Sequence, residues 1–278
     1  MSESRVLAAL LVAPALALVI ALFVYPFGFS VASAFTVPDG TLGLANFRKA
    51  YDLYSIDIIY TLFIVGLSTA LIGLFSLAIA GYLTMGETNW LVKSLAALYR
   101  WPLFIPFIVA AQCMRTFLAK NGLMNNALVA TGVLDPSQTV SFLDWRGIVI
   151  TFVWKQVPFV TLLLAGAMAS LDRATIESAR NLGAGRLRIL FEIVLPQVAQ
   201  TLMVGLILSF VTMLSVLSVP MMVAGSQPTM LTVDMAFRIN AYGDYPVANA
   251  LGVISYLMTA VTAWIYLRHS VRQQEAHP

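Results

Sequence analysis

The side chains able to do covalent or acid–base chemistry are few: 278 residues contain two histidines and one cysteine. His269 and His277 both fall in the C-terminal tail, remote in sequence from Gly66-Leu67-Ser68-Thr69, the one segment resembling a nucleophile's neighbourhood. Nucleophilic hydrolysis needs a base within hydrogen-bond reach of the serine, and the apolar stretches supply no histidine for that role. Zinc chemistry fails for the same want of His, Cys and carboxylates in those stretches. There is no Gly-x-x-x-x-Gly-Lys-Ser/Thr loop, nor any Gly-Lys pair, to cradle nucleotide phosphates. With Cys113 alone, no internal disulfide forms. The chain itself is therefore expected to carry no catalysis.

What remains are polar groups in apolar surroundings. Arg100, Arg115 and Lys155 lie within apolar stretches that hold no acid, and ionisable groups in hydrocarbon are functional candidates by default. Arg100 and Arg115 sit where long stems let a guanidinium reach the membrane surface. Lys155 is deeper, flanked by Trp154 and Gln156, with Pro158 freeing a carbonyl nearby. Lining a solute pathway together with Gln156, and forming a structural pair, are both open to it. Ser209, Thr212, Ser215 and Ser218 recur every third residue, a row that drifts about 60° per step around a helix. Such hydroxyls either face a shared cavity or bond back to carbonyls of their own helix.

Composition dictates the elements that position these groups. Hydrophobic residues make up 60% of the chain and charged residues 10%, against roughly 45–50% and about 25% in soluble domains. With a mean hydropathy of +0.86, and about 20 apolar residues needed per spanning helix, there is room for about six spans. The runs are continuous rather than alternating, which predicts helices rather than a barrel. They cover about 6–31, 58–85, 91–118, 147–171, 198–223 and 247–267, and make one all-α integral membrane domain over 1–278. Ala32-Ser33-Ala34 looks like a signal cleavage site, but the preceding run exceeds the roughly 7 to 15 residues of a signal core, so a retained first helix is expected. Eight Lys and Arg residues lie on the side of the termini, five on the other, and three within spans. The positive-inside rule then puts both termini in the cytoplasm. The small positive balance reports orientation, not nucleic-acid binding.

The connection between the fourth and fifth spans, 172–196, is cytoplasmic in this topology and unusually charged. Asp172 is suited to cap a helix over 174–182, Gly183 and Gly185 to end it, and Ile189, Ile193 and Pro196 lead a second helical segment into the fifth span. A short helix bearing Ala and Ser lets another protein's backbone approach closely, and Arg173, Glu177 and Arg180 offer charges for pairing across a wet interface. This is the pattern of a docking element.

Glu177-x-Ala179-x-x-x-Gly183, followed after nine intervening residues by Ile193-x-Leu195-Pro196, resembles the EAA loop of permease subunits of binding-protein-dependent ABC importers. Ser178 stands where the family usually has its middle alanine, which keeps a small side chain. The resemblance implies a type I ABC importer (MetI-like) permease fold of six transmembrane helices with a cytoplasmic coupling helix, in a bacterial inner membrane. It assigns Arg173, Glu177, Ser178, Ala179, Arg180, Leu182, Gly183 and Ala184 to the contact with a separate ATPase. It implies two cytoplasmic ATPase subunits that carry ATP and Mg, a second permease, identical or homologous, and an external substrate-binding protein, with membrane lipid around the spans and no cofactor in this chain.

The outer loop Gly225-Ser226-Gln227-Pro228-Thr229-Met230, continuing to Asp234, Arg238, Tyr242 and Asp244, resembles permeases of the spermidine/putrescine type, as does Leu44-Ala45-Asn46-Phe47-Arg48-Lys49. In that group these loops meet the binding protein. A polyamine-like solute is accordingly expected, with phosphonate, opine or sugar as substitutes. The charges point the other way, because spans with three bases and no acid suit a polycation poorly. A self-sufficient secondary transporter or channel is the rival reading. It lacks membrane-embedded carboxylates and clear inverted repeats.

Overall fold

The computed structural model describes residues 3–37, 39–85, 90–224 and 227–275. Among them the architecture is helical, with one isolated antiparallel bridge between Thr36 and Leu42. Its helices are α1 (Glu3–Val19), α2 (Tyr25–Phe35), α3 (Ala45–Met85), α4 (Trp90–Leu98), α5 (Phe107–Leu118), α6 (Leu123–Ala130), α7 (Trp145–Ala169), α8 (Arg173–Asn181), α9 (Arg186–Ile189), α10 (Leu195–Ser215), α11 (Ser218–Val223), α12 (Leu231–Tyr242) and α13 (Tyr245–Glu275). Five stretches of described residues are long and apolar enough to cross a bilayer: Leu11–Phe35, Ala45–Met85, Trp145–Ala169, Arg186–Ser215 and Tyr245–Trp264. A bent pair, Val92–Phe104 and Phe107–Ala130, makes a sixth if counted as one span.

Prolines decide where the structure departs from the expected spans. The stretch 91–118 is expected as one helix but turns by 110°. A one-turn 3₁₀ segment, Trp101–Phe104, ends the first arm; Ile105 is extended (φ −89°, ψ 122°), and Pro106 caps α5. A proline forces its predecessor out of the helical region and clashes with the carbonyl four residues back. The expected 198–223 helix likewise stops at Ser215, with Val216 extended. Its ring would otherwise press on the Val216 carbonyl, so Pro220 sits instead in the first turn of α11, and that carbonyl accepts a bond from Thr232 Oγ1 at 3.3 Å. Pro26 and Pro196 are absorbed more gently, by π-helical turns at Ile20–Val24 and Leu190–Val194. The second span starts earlier than expected, since helical structure begins at Ala45, with non-helical dihedrals at Tyr54 (φ −128°, ψ 15°).

The chain packs as two units, residues 1–55 with 234–258, and residues 56–233 with 259–278. In the first, Ser30 Oγ donates to Asn249 Oδ1 at 2.8 Å and the Phe27 and Tyr256 rings lie 5.0 Å apart, joining α2 to α13. Buried Asn46 donates to the carbonyls of Ala34 and Thr36 at 3.0 and 2.8 Å, folding the chain after α2 onto the start of α3. In the second unit α7 is the central helix, with Phe152, Val160 and Leu164 fully buried. α10 lies on it at Gly205, where a Cβ would come within 3.3 Å of Val160, so the missing side chain permits the close approach. Asp57 and Thr61, both buried on α3, accept from the backbone N–H groups of Thr229 and Leu231 at 2.7 and 3.0 Å.

Candidate functional site

The connection between α7 and α10 folds as a capped helix and a turn. The Asp172 carboxylate accepts from the Ala174 N–H at 2.9 Å, satisfying one of the free donors at the start of α8. At the other end Gly183 has φ +82°. Its N–H reaches the Arg180 carbonyl at 3.0 Å, and the Ala184 N–H reaches back to the Ala179 carbonyl at 3.0 Å. This pair of bonds is the Schellman closure, in which the residue in the left-handed region stands four after the acceptor of the longer bond. The Ala179-x-x-x-Gly183 spacing therefore has a backbone cause: alanine supplies the acceptor and glycine the positive φ.

At 100° per residue, Arg173, Ile176, Glu177 and Arg180 share one face of α8, and Thr175, Ser178 and Leu182 the opposite one. The first set lines a cleft of about 550 Å³ together with Thr84, Tyr99, Arg100 and the end of α7. The second set faces away, and Leu182 is 89% exposed. Leu187, 72% exposed just beyond the turn, adds a second apolar side chain to this surface. The residues assigned to one contact by sequence thus divide between two faces. Ser178, Ala179 and Leu182, with the Gly183-Ala184 turn, form an outward knob, while the charges of Arg173, Glu177 and Arg180 border the cleft.

Lys155 is buried, and its ammonium donates to the Pro102 and Leu103 carbonyls at 2.5 and 3.2 Å. These are acceptors released where the bent span breaks, so the cation compensates the broken helix end. Its Nζ also lies 5.2 Å from the centre of the Phe107 ring. Lys155 also lines a cavity of about 410 Å³ with Gln156, Phe107, Phe159 and Thr212. None of the described residues lining that cavity is a carboxylate. The hydroxyl row disperses: Ser209 is fully buried, Thr212 reaches the cavity but bonds back to the Leu208 carbonyl at 2.7 Å, Ser215 bonds back to Val211 at 2.9 Å, and Ser218 lies beyond the helix break. Phe107 and Phe159 carried no sequence signal, because an aromatic in an apolar run looks like any packing residue.

In the first unit, Arg238, Tyr242 and Asp244 come together with Lys49 and Tyr54. The Arg238 guanidinium lies 5.2 and 5.0 Å from the Tyr54 and Tyr242 ring centres, and its Nε donates to the Tyr54 hydroxyl. Asp244 pairs with Lys49 at 2.7 Å and with Arg238 at 3.6 Å. These groups lock α3, α12 and α13 to one another, and Tyr242, 64% exposed, is the accessible member. Asp234, expected at the outer surface, is instead buried at 4% exposure on the inner side of α12. Gly225 and Ser226 of the expected outer loop lie outside the described residues, as do the side chains of His269 and His277.

Among known proteins, the sequence matches the family described as binding-protein-dependent transport system inner membrane component over residues 5–273. It is 27% identical to the sulfoquinovosyl glycerol transport system permease protein SmoG of Agrobacterium fabrum, covering 95% of this chain and 90% of that one. It is 22% identical to the spermidine/putrescine permease PotB of Escherichia coli K12, covering 73% and 75%. A chain of a bacterial alginate ABC transporter superposes with a TM-score of 0.79 at 23% identity over 97% of this chain and 95% of its own. One of the inward-facing MetNI methionine ABC transporter gives 0.60 at 17% identity over 78% and 94%.

Proposed function

Because the chain belongs to the binding-protein-dependent transport system inner membrane component family, and is a multi-pass permease subunit of an ABC importer, we propose that it carries a polar glycoside, neutral or acidic, into the cytoplasm. The observation behind this reading is the Lys155 cavity, which offers a cation, an amide, a hydroxyl and two aromatic rings without a carboxylate. Rings and amides suit a sugar's faces and hydroxyls, whereas a polyamine would meet a like charge with no compensating acid. The relative SmoG, similar over nearly the whole chain, points the same way. The expected polyamine-like solute keeps support from the outer-loop resemblance and from PotB, which is similar over a shorter stretch.

In this proposal both termini are cytoplasmic, and α8 docks on a cytoplasmic ATPase through Ser178, Ala179, Leu182 and the Gly183-Ala184 turn, with Glu177 at the edge of the contact. ATP and Mg belong to that partner. Two such ATPases, a second permease and an external binding protein complete the assembly, the last meeting the exposed surface around Tyr242. Uptake by cells expressing the complete system decides the substrate, measured with labelled acidic and neutral glycosides and with spermidine. Saturable glycoside uptake that Lys155→Glu weakens is the expected result. Saturable spermidine uptake without glycoside uptake would refute the substrate assignment and leave the permease fold untouched.

A further inference from the structure

The cleft under α8 has a composition that coupling to an ATPase does not require. Three arginines reach it from two directions: Arg100 from the turn after α4, and Arg173 and Arg180 from α8. Arg100 is pre-positioned, since its Nε donates to the hydroxyl of Tyr99 at 3.1 Å and its guanidinium lies 5.3 Å from that ring's centre. Tyr99 is itself 8% exposed, so the support is fixed in the core. Among the described residues, no carboxylate forms an ion pair with any of these three arginines. Among the described residues Glu177 is the single acid in the lining, set against three cations.

Apart from Thr84 and Tyr99, the rest of the lining is apolar. Leu83 and Met85 come from the end of α3, Val92 and Ala96 from α4, and Met168 and Ala169 from the end of α7. The cleft thus opens at the ends of three segments apolar enough to enter a bilayer, the level at which a span's ends meet lipid headgroups. Trp90 and Trp101, 73% and 67% exposed, flank α4 as interfacial aromatics do. A basic rim over an apolar floor at that level matches the two parts of a phospholipid, charged head and acyl chain, better than it matches a free ion.

We propose that this cleft binds the headgroup of an anionic phospholipid from the leaflet on the α8 side, the phosphate meeting Arg100, Arg173 and Arg180 and the acyl chain lying along Leu83, Val92 and Met168. The lipid ties α8 to the span ends, so the leaflet's anionic content sets how firmly the coupling helix is held. The proposal needs only the membrane-spanning fold, not the identity of the solute.

The test uses the full chain in phosphatidylcholine nanodiscs doped with phosphatidylglycerol, with retained lipid counted by native mass spectrometry. Arg173→Gln with Arg180→Gln changes two exposed side chains and no core contact. At about five-fold per cation near an anionic surface, that double variant is expected to retain phosphatidylglycerol roughly 25-fold more weakly. Lys93→Gln with Arg268→Gln removes the same charge away from the cleft and is expected to behave as wild type, as is wild type challenged with glycerol phosphate. Equal retention by the two double variants, no preference for phosphatidylglycerol over phosphatidylcholine in wild type, or displacement by glycerol phosphate would each overturn the proposal, the last by assigning the site to a soluble phosphate.

Discussion

Replacing Gly183 with alanine isolates one physical term. Beyond its two chain neighbours, no atom of the described residues lies within 4 Å of the place a Cβ would occupy, so the substitution creates no clash with them. What it meets is the dihedral: φ is +82°, and an L-residue in the left-handed region costs about 1–2 kcal/mol. The strain is relieved by opening the turn, which breaks the Gly183-to-Arg180 and Ala184-to-Ala179 bonds, each 3.0 Å. A cost of that size shifts the opening equilibrium about 5- to 30-fold. Amide hydrogen exchange at Ala184 reads it directly, since that proton is protected only while the Schellman bond is closed. Gly183→Asn, which tolerates the left-handed region better, should show a smaller acceleration, and Gly183→Pro a complete loss. Transport per ATP hydrolysed should fall in the same order. The reasoning is refuted if Ala184 exchange in Gly183→Ala stays within about two-fold of wild type, or if the asparagine variant opens as readily as the alanine one.

Lys155→Met removes the cation from the Pro102 and Leu103 carbonyls at the span break; the Ile105 N–H still reaches Pro102 at 3.3 Å, so the expected loss is about 1–3 kcal/mol, read as denaturation at lower denaturant in detergent. Arg238→Ala empties the space between Tyr54 and Tyr242 and should cost about 1–2 kcal/mol in the same assay, whereas Lys49→Ala, with its half-exposed side chain, should cost under about 1 kcal/mol. Hydrogen bonds from the Arg146 side chain hold the Asp144 carboxyl below the usual carboxylate range. Because its folded pKa lies under its unfolded one, that contribution is present above about pH 3.9 and is lost as pH falls toward the folded value. Asp144→Asn should therefore flatten this part of the acid limb of the stability profile, seen as a smaller drop in melting temperature below about pH 4 than in wild type.

Much of this protein was legible from the chain alone, for a reason particular to membranes. Where lipid is the solvent, each span must close its own backbone bonds and be apolar along its whole length, so helix content and the approximate positions of the spans follow from composition. The turn after α8 was equally local. Asp172 as cap, Ala179 as acceptor and Gly183 at positive φ act within one short stretch of chain, and their spacing is set by helix geometry. Pro106 and Pro220 were visible too, but not their consequence: a proline inside a span is tolerated when another group takes up the freed carbonyl, and whether one does depends on a different helix. Here Lys155 does so for Pro102 across 53 residues of chain, and Thr232 for Val216. Only the tertiary structure pairs Arg238 with Tyr54 across 184 residues, buries Asp234, and turns Arg173, Glu177 and Arg180 toward the span ends while Ser178 and Leu182 face out. Composition and short spacings report the solvent and the local backbone. The partners of a buried charge, and the direction a polar face points, are set by packing between segments distant in sequence.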